Sequence, residues 1–277
     1  MVISIALICI DIESQFGAFN KPFSNTGGLL TYMVPPKTSI IGLLGAIVGY
    51  PLSETLERFK DIKIGIEPLK DIKTKTIIYN CHYGGRLGRW VNIRQEVLIE
   101  PRYRIYIEIG SNFQDEKFLM HINKLLQDNR VTKKVKDVRE GLELLLRNQI
   151  SYYSLYMGKN DFPLKYYFRD IKTSKLSPSD LEKYFPTNCV IPTDVISDIS
   201  ISVKEQKFGI NRFVPRSFRV LILSDVPVSQ KKDREFIKFK NFLLKDMGRE
   251  TYMRIMPKKK EEYSFYIDDK ENLIVCF

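Results

Sequence analysis

Between Cys81 and Arg94 the chain carries side chains whose types and spacing could grip a nucleotide chain. Arg86, Arg89 and Arg94 surround Trp90, with no acidic residue among them. A guanidinium pairs with phosphate through a two-pronged fork and stacks on bases, and an indole stacks on an unpaired base for about 1 to 3 kcal/mol. Glycines at 84, 85 and 88 mark a turn, so the stretch reads as a basic hairpin tip carrying an aromatic ring. The alternative is a solvated hairpin whose Trp90 merely covers a sheet.

A second arrangement lies in TYMVPPKTSIIGLLGAIVGY, Thr31 to Tyr50. Pro35 and Pro36 force an extended approach, and a helix starts between Pro36 and Ser39. Lys37, Thr38 and Ser39 then sit at the helix entrance, where free N–H groups and the positive dipole end favour a phosphate. At ~100° per residue Ile40, Ile41, Leu43, Leu44, Ile47 and Val48 form one broad arc, while Gly42, Gly45, Ala46 and Gly49 form the other. Each glycine inside a helix costs about 1 kcal/mol against alanine, so this flank exists for something that comes close. That something is either another part of the same protein or a bound ligand.

Groups for catalysis are few. Only His82 and His121 are present. His121 lies beside the apolar face of a helical segment and reads as structural or solvent-facing. His82 sits in the basic hairpin near Tyr79 and Tyr83, where metal-independent RNA cleavage is the enzymatic alternative: a base draws the 2′-OH proton and a cation stabilises the phosphorane. There is no HExxH or GxSxG, and GLLGAIVG lacks the lysine and hydroxyl of a P-loop. Cys9, Cys81, Cys189 and Cys276 are scattered, without metal-ligand spacing, and read as reduced thiols of a cytoplasmic protein. No catalytic group, cofactor, metal or small-molecule substrate is expected.

The elements that must position these groups follow from pattern and composition. The 277 residues are 44% hydrophobic and 28% charged, ordinary for a globular protein, and 44 basic against 33 acidic side chains leave +11, which favours an anionic partner. The longest apolar run, Ile40 to Gly49, is half of a bilayer span, and the first residues lack the features of a signal peptide, so no membrane partner is expected. Val2 to Ile12 reads as a buried strand. Glu13 to Met33, with Phe16, Phe19 and Phe23, is a loop too long for an idle connection. Short helices are expected at Ser53 to Phe59, Gln114 to Asp128 and Val138 to Asn148. Strands are expected at Asp61 to Pro68, Lys73 to Asn80 and Gln95 to Ile109, with a strand and turn in SLYMGKNDFPLKYYF. Arg102 and Arg104 share one face of their strand, Tyr103 and Ile105 the other. This order, with its hairpin insert, predicts an α+β protein whose first unit is ferredoxin-like (RRM-like). After Asp170 turns and short strands dominate, with one helical candidate near Arg234 to Asp246. The expected division is therefore 1–170, holding the hairpin near 79–98, and a smaller β-rich 171–277. The second part carries further basic segments, KFGINRFVPRSFR at Lys207 to Arg219 and a turn at Pro257 to Lys260.

YMVPPKTSIIGLLGAIVGY, preceded by a strand and an F-G-A-F-N-K-P loop, resembles the opening of the CRISPR-associated RAMP subunit that caps the 5′ handle of the guide RNA in type I Cascade complexes. SLYMGKNDFP, Ser154 to Pro163, resembles that family's tyrosine-leucine-glycine-arginine segment, with Met157 and Lys159 in the third and last places. The resemblance implies a thumb-like hairpin wedged beside the crRNA handle, with backbone-forming and large subunits as further partners. It assigns RNA contacts to Phe16, Phe19 and Lys21 of the loop, to Lys37, Thr38 and Ser39 of the helix entrance, and to Gly158 and Lys159 of the turn. By location rather than motif it adds Arg86, Arg89, Trp90 and Arg94. One branch of the family cuts precursor crRNA with a tyrosine, lysine and histidine group; no such trio aligns here, and a non-catalytic subunit is the expectation.

Overall fold

The computed structural model describes residues 7–24, 28–83, 88–110, 116–207, 210–214, 220–245 and 251–277. The β-branched run at the start forms β1 (Ile8–Glu13), followed by α1 (Lys37–Val48), α2 (Leu52–Arg58) and β2 (Lys63–Pro68). A long pair, β3 (Lys73–Tyr83) and β4 (Arg89–Ile99), precedes β5 (Arg102–Glu108), α3 (Glu116–Asp128), α4 (Val138–Arg147) and β6 (Lys165–Phe168). Four of these strands make one antiparallel sheet in the order β2-β5-β1-β6, and β3 and β4 stand outside it. Gln95 to Ile109, expected as one strand, is two. Glu100 adopts φ 44° and Pro101 follows, and together they turn the chain out of the hairpin and into the sheet.

Alternation along β1 sorts the two faces of this sheet. Ile8, Ile10 and Ile12 lie opposite Ile107, Ile105 and Tyr103 and are buried in one cluster with Ile40, Leu44 and Ile47 of α1 and Phe118, Ile122 and Leu142 of α3 and α4. The other face carries Asp11, only 1% exposed, whose two oxygens accept from Arg104 Nε and Arg169 Nε, each at 2.7 Å. Arg102 and Arg104 share this face, as their spacing predicts. Removing the Asp11 carboxylate would take charge-assisted hydrogen bonds from partly exposed guanidinium groups, a loss of about 1.5 to 3 kcal/mol.

Helix α1 begins one residue after Pro36, whose φ of −60° and ψ of 152° are extended. It ends where Gly49, at φ 80°, donates its N–H to Gly45 O at 2.8 Å. Gly45 faces α2 so closely that a Cβ there would lie 2.3 Å from Thr55 Oγ1, whereas one at Gly42 would meet nothing within 4 Å. The bare flank is thus partly internal packing and partly open.

The later residues form β7 (Ile196–Lys207), β8 (Ile210–Val214), β9 (Val220–Gln230), β10 (Phe236–Lys245), β11 (Thr251–Pro257), β12 (Ser264–Ile267) and β13 (Leu273–Cys276). They pair antiparallel as β8-β7-β11, β9-β10 and β12-β13, each extended by a two-residue strand. The segment near Arg234 to Asp246, expected as a helix, is largely β10. Its ladder with the equally apolar β9 outweighs a helical spacing that has no such partner. Phe277 and Ile64 exchange backbone bonds at 3.1 and 3.2 Å, and Val190 N donates to Ile66 O at 2.8 Å. Phe242, Ile274 and Phe277 therefore belong to the same buried cluster as Ile64 and Tyr106.

Candidate nucleic-acid interface

The β3–β4 ladder runs without a bulge from Lys73 opposite Ile99 to Tyr83 opposite Arg89. Its register puts Ile78, His82, Trp90 and Arg94 on one face and Tyr79, Arg89, Val91 and Gln95 on the other. Trp90 is 71% exposed, with the edge of His82 at a ring distance of 5.3 Å. Arg89 and Arg94 are exposed and form no ion pair among the described residues. Arg89 and Trp90, adjacent in sequence, serve opposite faces, and Arg94 shares Trp90's. Arg86 lies outside the described residues.

The hairpin is tied down at its root. Gln95 is 2% exposed, and its Oε1 accepts from Lys159 Nζ at 2.6 Å and from Tyr79 OH at 3.2 Å, while its Nε2 donates to Asn20 Oδ1 at 3.4 Å. The Lys159 ammonium also lies 5.9 Å from the Tyr79 ring centre. Gly158 holds this turn in place: its φ is 84°, and a Cβ would fall 2.1 Å from the Ala18 carbonyl oxygen. Ala18 N in turn donates to Met157 O at 3.0 Å. The SLYMGKNDFP turn and the loop after β1 are therefore one unit at the base of the hairpin. Phe16 opposes Ile99 there, 43% exposed and tilted against Phe162.

One loop residue differs from the reading of the sequence. Phe19 is 5% exposed and belongs to the core, so its ring cannot stack on a base; the run A-F-N-K conceals that its apolar member turns inward. Lys21 is half-buried, with its ammonium 5.6 Å from the Tyr32 ring. That contact leaves Lys21 at the edge of the loop, where it adds positive charge.

The helix entrance divides between two clefts. Thr38 and Ser39 line one of 330 Å³, together with Ser154 to Gly158. Lys37 turns the other way, into a second cleft of 540 Å³ that also holds Lys63, Lys238 and Lys240. Its ammonium donates to the Phe277 main-chain oxygen at 2.8 Å. Burial, helped by Lys63, Lys240 and Lys238, pulls its pKa down to about 8. Lys37 and Ser39 do not act on one ligand group, because successive helical positions point about 100° apart.

Among the described residues no catalytic geometry assembles around the histidines. His121 Nε2 lies 2.6 Å from Val48 O and its ring stacks on Tyr50, which closes the end of α1. His82 and Tyr79 occupy opposite faces of the hairpin, so no single scissile phosphate touches both. Cys9, Cys189 and Cys276 are buried, and burial pushes their thiols up. No grouping of three or more His, Cys, Asp or Glu suits a metal among the described residues. The sequence reading missed Gln95 and Asn20. Gln95 lies in the alternation with Val97, one polar residue on an inward row, and that was the available signal.

Residues 7–107 match the family described as CRISPR-associated protein (Cas_Cas5), so the resemblance read from the opening of the chain holds. A CRISPR protein from Archaeoglobus fulgidus has a TM-score of 0.50 at 9% identity, with 97% of this chain and 98% of that one covered, which is a likeness of fold. A chain of a CRISPR RNA-guided surveillance complex has a TM-score of 0.41 at 12% identity, covering 96% and 93%. A chain of a type III-B Cmr-beta complex bound to cognate target RNA and AMPPnP has 0.42 at 12%, covering 90% and 86%. No curated protein matches by sequence.

Proposed function

We propose that this CRISPR-associated protein of the Cas5 family is a non-catalytic crRNA-binding subunit of a type I Cascade effector, capping the 5′ handle of the guide in the cytoplasm. The observation that carries the reading is Trp90, 71% exposed on a hairpin whose root is fixed by Lys159 and Gln95. An exposed indole is a stacking platform for a base, and Arg89 and Arg94, which form no ion pair among the described residues, supply phosphate contacts on the two faces. The order β2-β5-β1-β6, reached through a strand-helix-strand-strand-helix-strand path, supports a ferredoxin-like unit with β3–β4 as its thumb. The net charge of +11 supports an anionic partner. Backbone-forming and large subunits of the same complex would cover what RNA leaves free.

The test is a fluorescence anisotropy titration of a labelled crRNA handle against an unrelated single strand of equal length. Preferential handle binding that weakens as salt rises is expected. Equal affinity for both strands refutes handle recognition. The endoribonuclease alternative is not supported by Tyr79, which lies on the face opposite His82.

A further inference from the structure

Of the two glycines in α1 and the one that caps its C-terminal end, two have a reason inside the protein. Gly45 is needed for the approach of Thr55, and Gly49 for its φ of 80°. Gly42 has neither: its φ is ordinary, and a Cβ would meet nothing within 4 Å. An internal helical glycine without a local cause costs about 1 kcal/mol, and it is best kept where an outside group must reach bare backbone. Gly42 lies in the 330 Å³ cleft, with Ser39 and Ala46 on the same helix face. Tyr156, 48% exposed, Arg234 of the β9–β10 turn and Phe236 at the start of β10 also line it. Arg234 is exposed and forms no ion pair among the described residues.

We infer that this cleft over Gly42 is a slot for one unstacked nucleobase of bound RNA, with Arg234 meeting the adjoining phosphate. The inference rests on the RNA reading above and deepens it. Its volume is at the small end of ligand pockets, which suits a single flat group. Aromatic residues at the rim, a serine hydroxyl and a lone guanidinium form the set that holds a splayed base. Its wall ends at Gly158, the residue before Lys159, so a strand lying along the hairpin root leads straight into it. The β9–β10 turn thereby becomes a second RNA-contacting element beside the thumb.

The experiment uses the full chain and an eight-nucleotide, fluorescein-labelled single-stranded crRNA handle, intact or with one abasic site at each successive position. Gly42→Leu fills the slot from a position with open space, so its melting temperature should equal or exceed that of the wild type. We expect Gly42→Leu to bind the intact RNA about tenfold more weakly. One abasic position should cost the wild type a similar factor and cost Gly42→Leu nothing further. Trp90→Ala, outside the slot, should weaken binding while keeping the abasic profile. If Gly42→Leu binds like the wild type while Trp90→Ala is weakened, the slot is refuted and the RNA reading stands. A flat abasic profile in the wild type also overturns the slot, and if Gly42→Leu is weakened in that case the cleft serves another group, such as a partner's side chain. If the wild type binds none of the probes, the RNA reading falls and takes the slot with it.

Discussion

Gly45→Ala is expected to destabilise the protein, while Gly42→Ala, three residues earlier in the same helix, stabilises it. Both substitutions gain the same helix propensity, about 1 kcal/mol. At position 42 that gain stands alone, because the new methyl group meets nothing within 4 Å. At position 45 it would lie 2.3 Å from Thr55 Oγ1 and 2.9 Å from Thr55 Cβ. Thr55 cannot step aside: it is 1% exposed, β-branched, and its hydroxyl donates to Pro51 O at 2.9 Å. Helices α1 and α2 must therefore separate, and forcing extra volume into a packed contact costs about 1 to 3 kcal/mol, more than the propensity returned. In a chain of this size 1 kcal/mol moves the melting midpoint by roughly 2–4 °C. Far-UV circular dichroism melts should then show Gly42→Ala rising by about 2–4 °C and Gly45→Ala falling by a similar amount. Shifts of the same sign would refute the claim that Thr55, rather than helix propensity, dictates the glycine at 45.

Trp90→Ala should leave the melting temperature unchanged, as the ring is exposed, yet weaken handle RNA by about 1 to 3 kcal/mol in anisotropy titrations; unaltered affinity would remove the hairpin from the interface. Gly158→Ala imposes a left-handed conformation on a residue with a side chain and drives its methyl into the Ala18 carbonyl, so urea denaturation should report a loss of about 2–4 kcal/mol. A loss below 0.5 kcal/mol on the ~1 kcal/mol scale of single substitutions would contradict that. Lys37 has a folded pKa of about 8, below its unfolded value of about 10.4. Between those values the folded state holds fewer protons, so its contribution to stability rises with pH from about 8 to 10.4. Lys37→Met should be more stable at pH 7 and should lack this rise, which urea midpoints at pH 7 and 9.5 compare directly; parallel slopes for the two proteins would refute it.

Local pattern made the first half of the fold legible. The proline pair set the start of α1, the β-branched run of Val2 to Ile12 set β1 (residues 2–6 lie outside the described ones), and the glycine-rich turn marked the hairpin. What stayed hidden depended on distant partners. Gln95 to Ile109 looked continuous because its residues are uniformly strand-forming, and only the backbone at Glu100 and Pro101 splits it. Phe236 to Lys245 carries apolar residues at helical intervals, and a ladder with β9 decides its form. For the candidate site, Trp90 and Arg94 were readable as exposed groups on a hairpin, whereas the bond from Lys159 to Gln95 was not. The burial of Phe19 and the cleft that Lys37 enters were hidden for one reason: residue type tells what a side chain can do, while burial and the direction it leaves the backbone are settled by packing many residues away.

Strands β2 and β5 are immediate neighbours, with Pro68 opposite Tyr103 and Leu69 N already bonded to Arg102 O. The whole hairpin is thus an excursion that leaves one ladder and rejoins it at the next rung. An excursion of this kind is exchangeable: its tip can lengthen, shorten or change its rings and charges while the ladder beneath stays closed. Selection could therefore retool what the protein holds without solving its folding problem again, so long as Gln95 keeps the base of the excursion anchored.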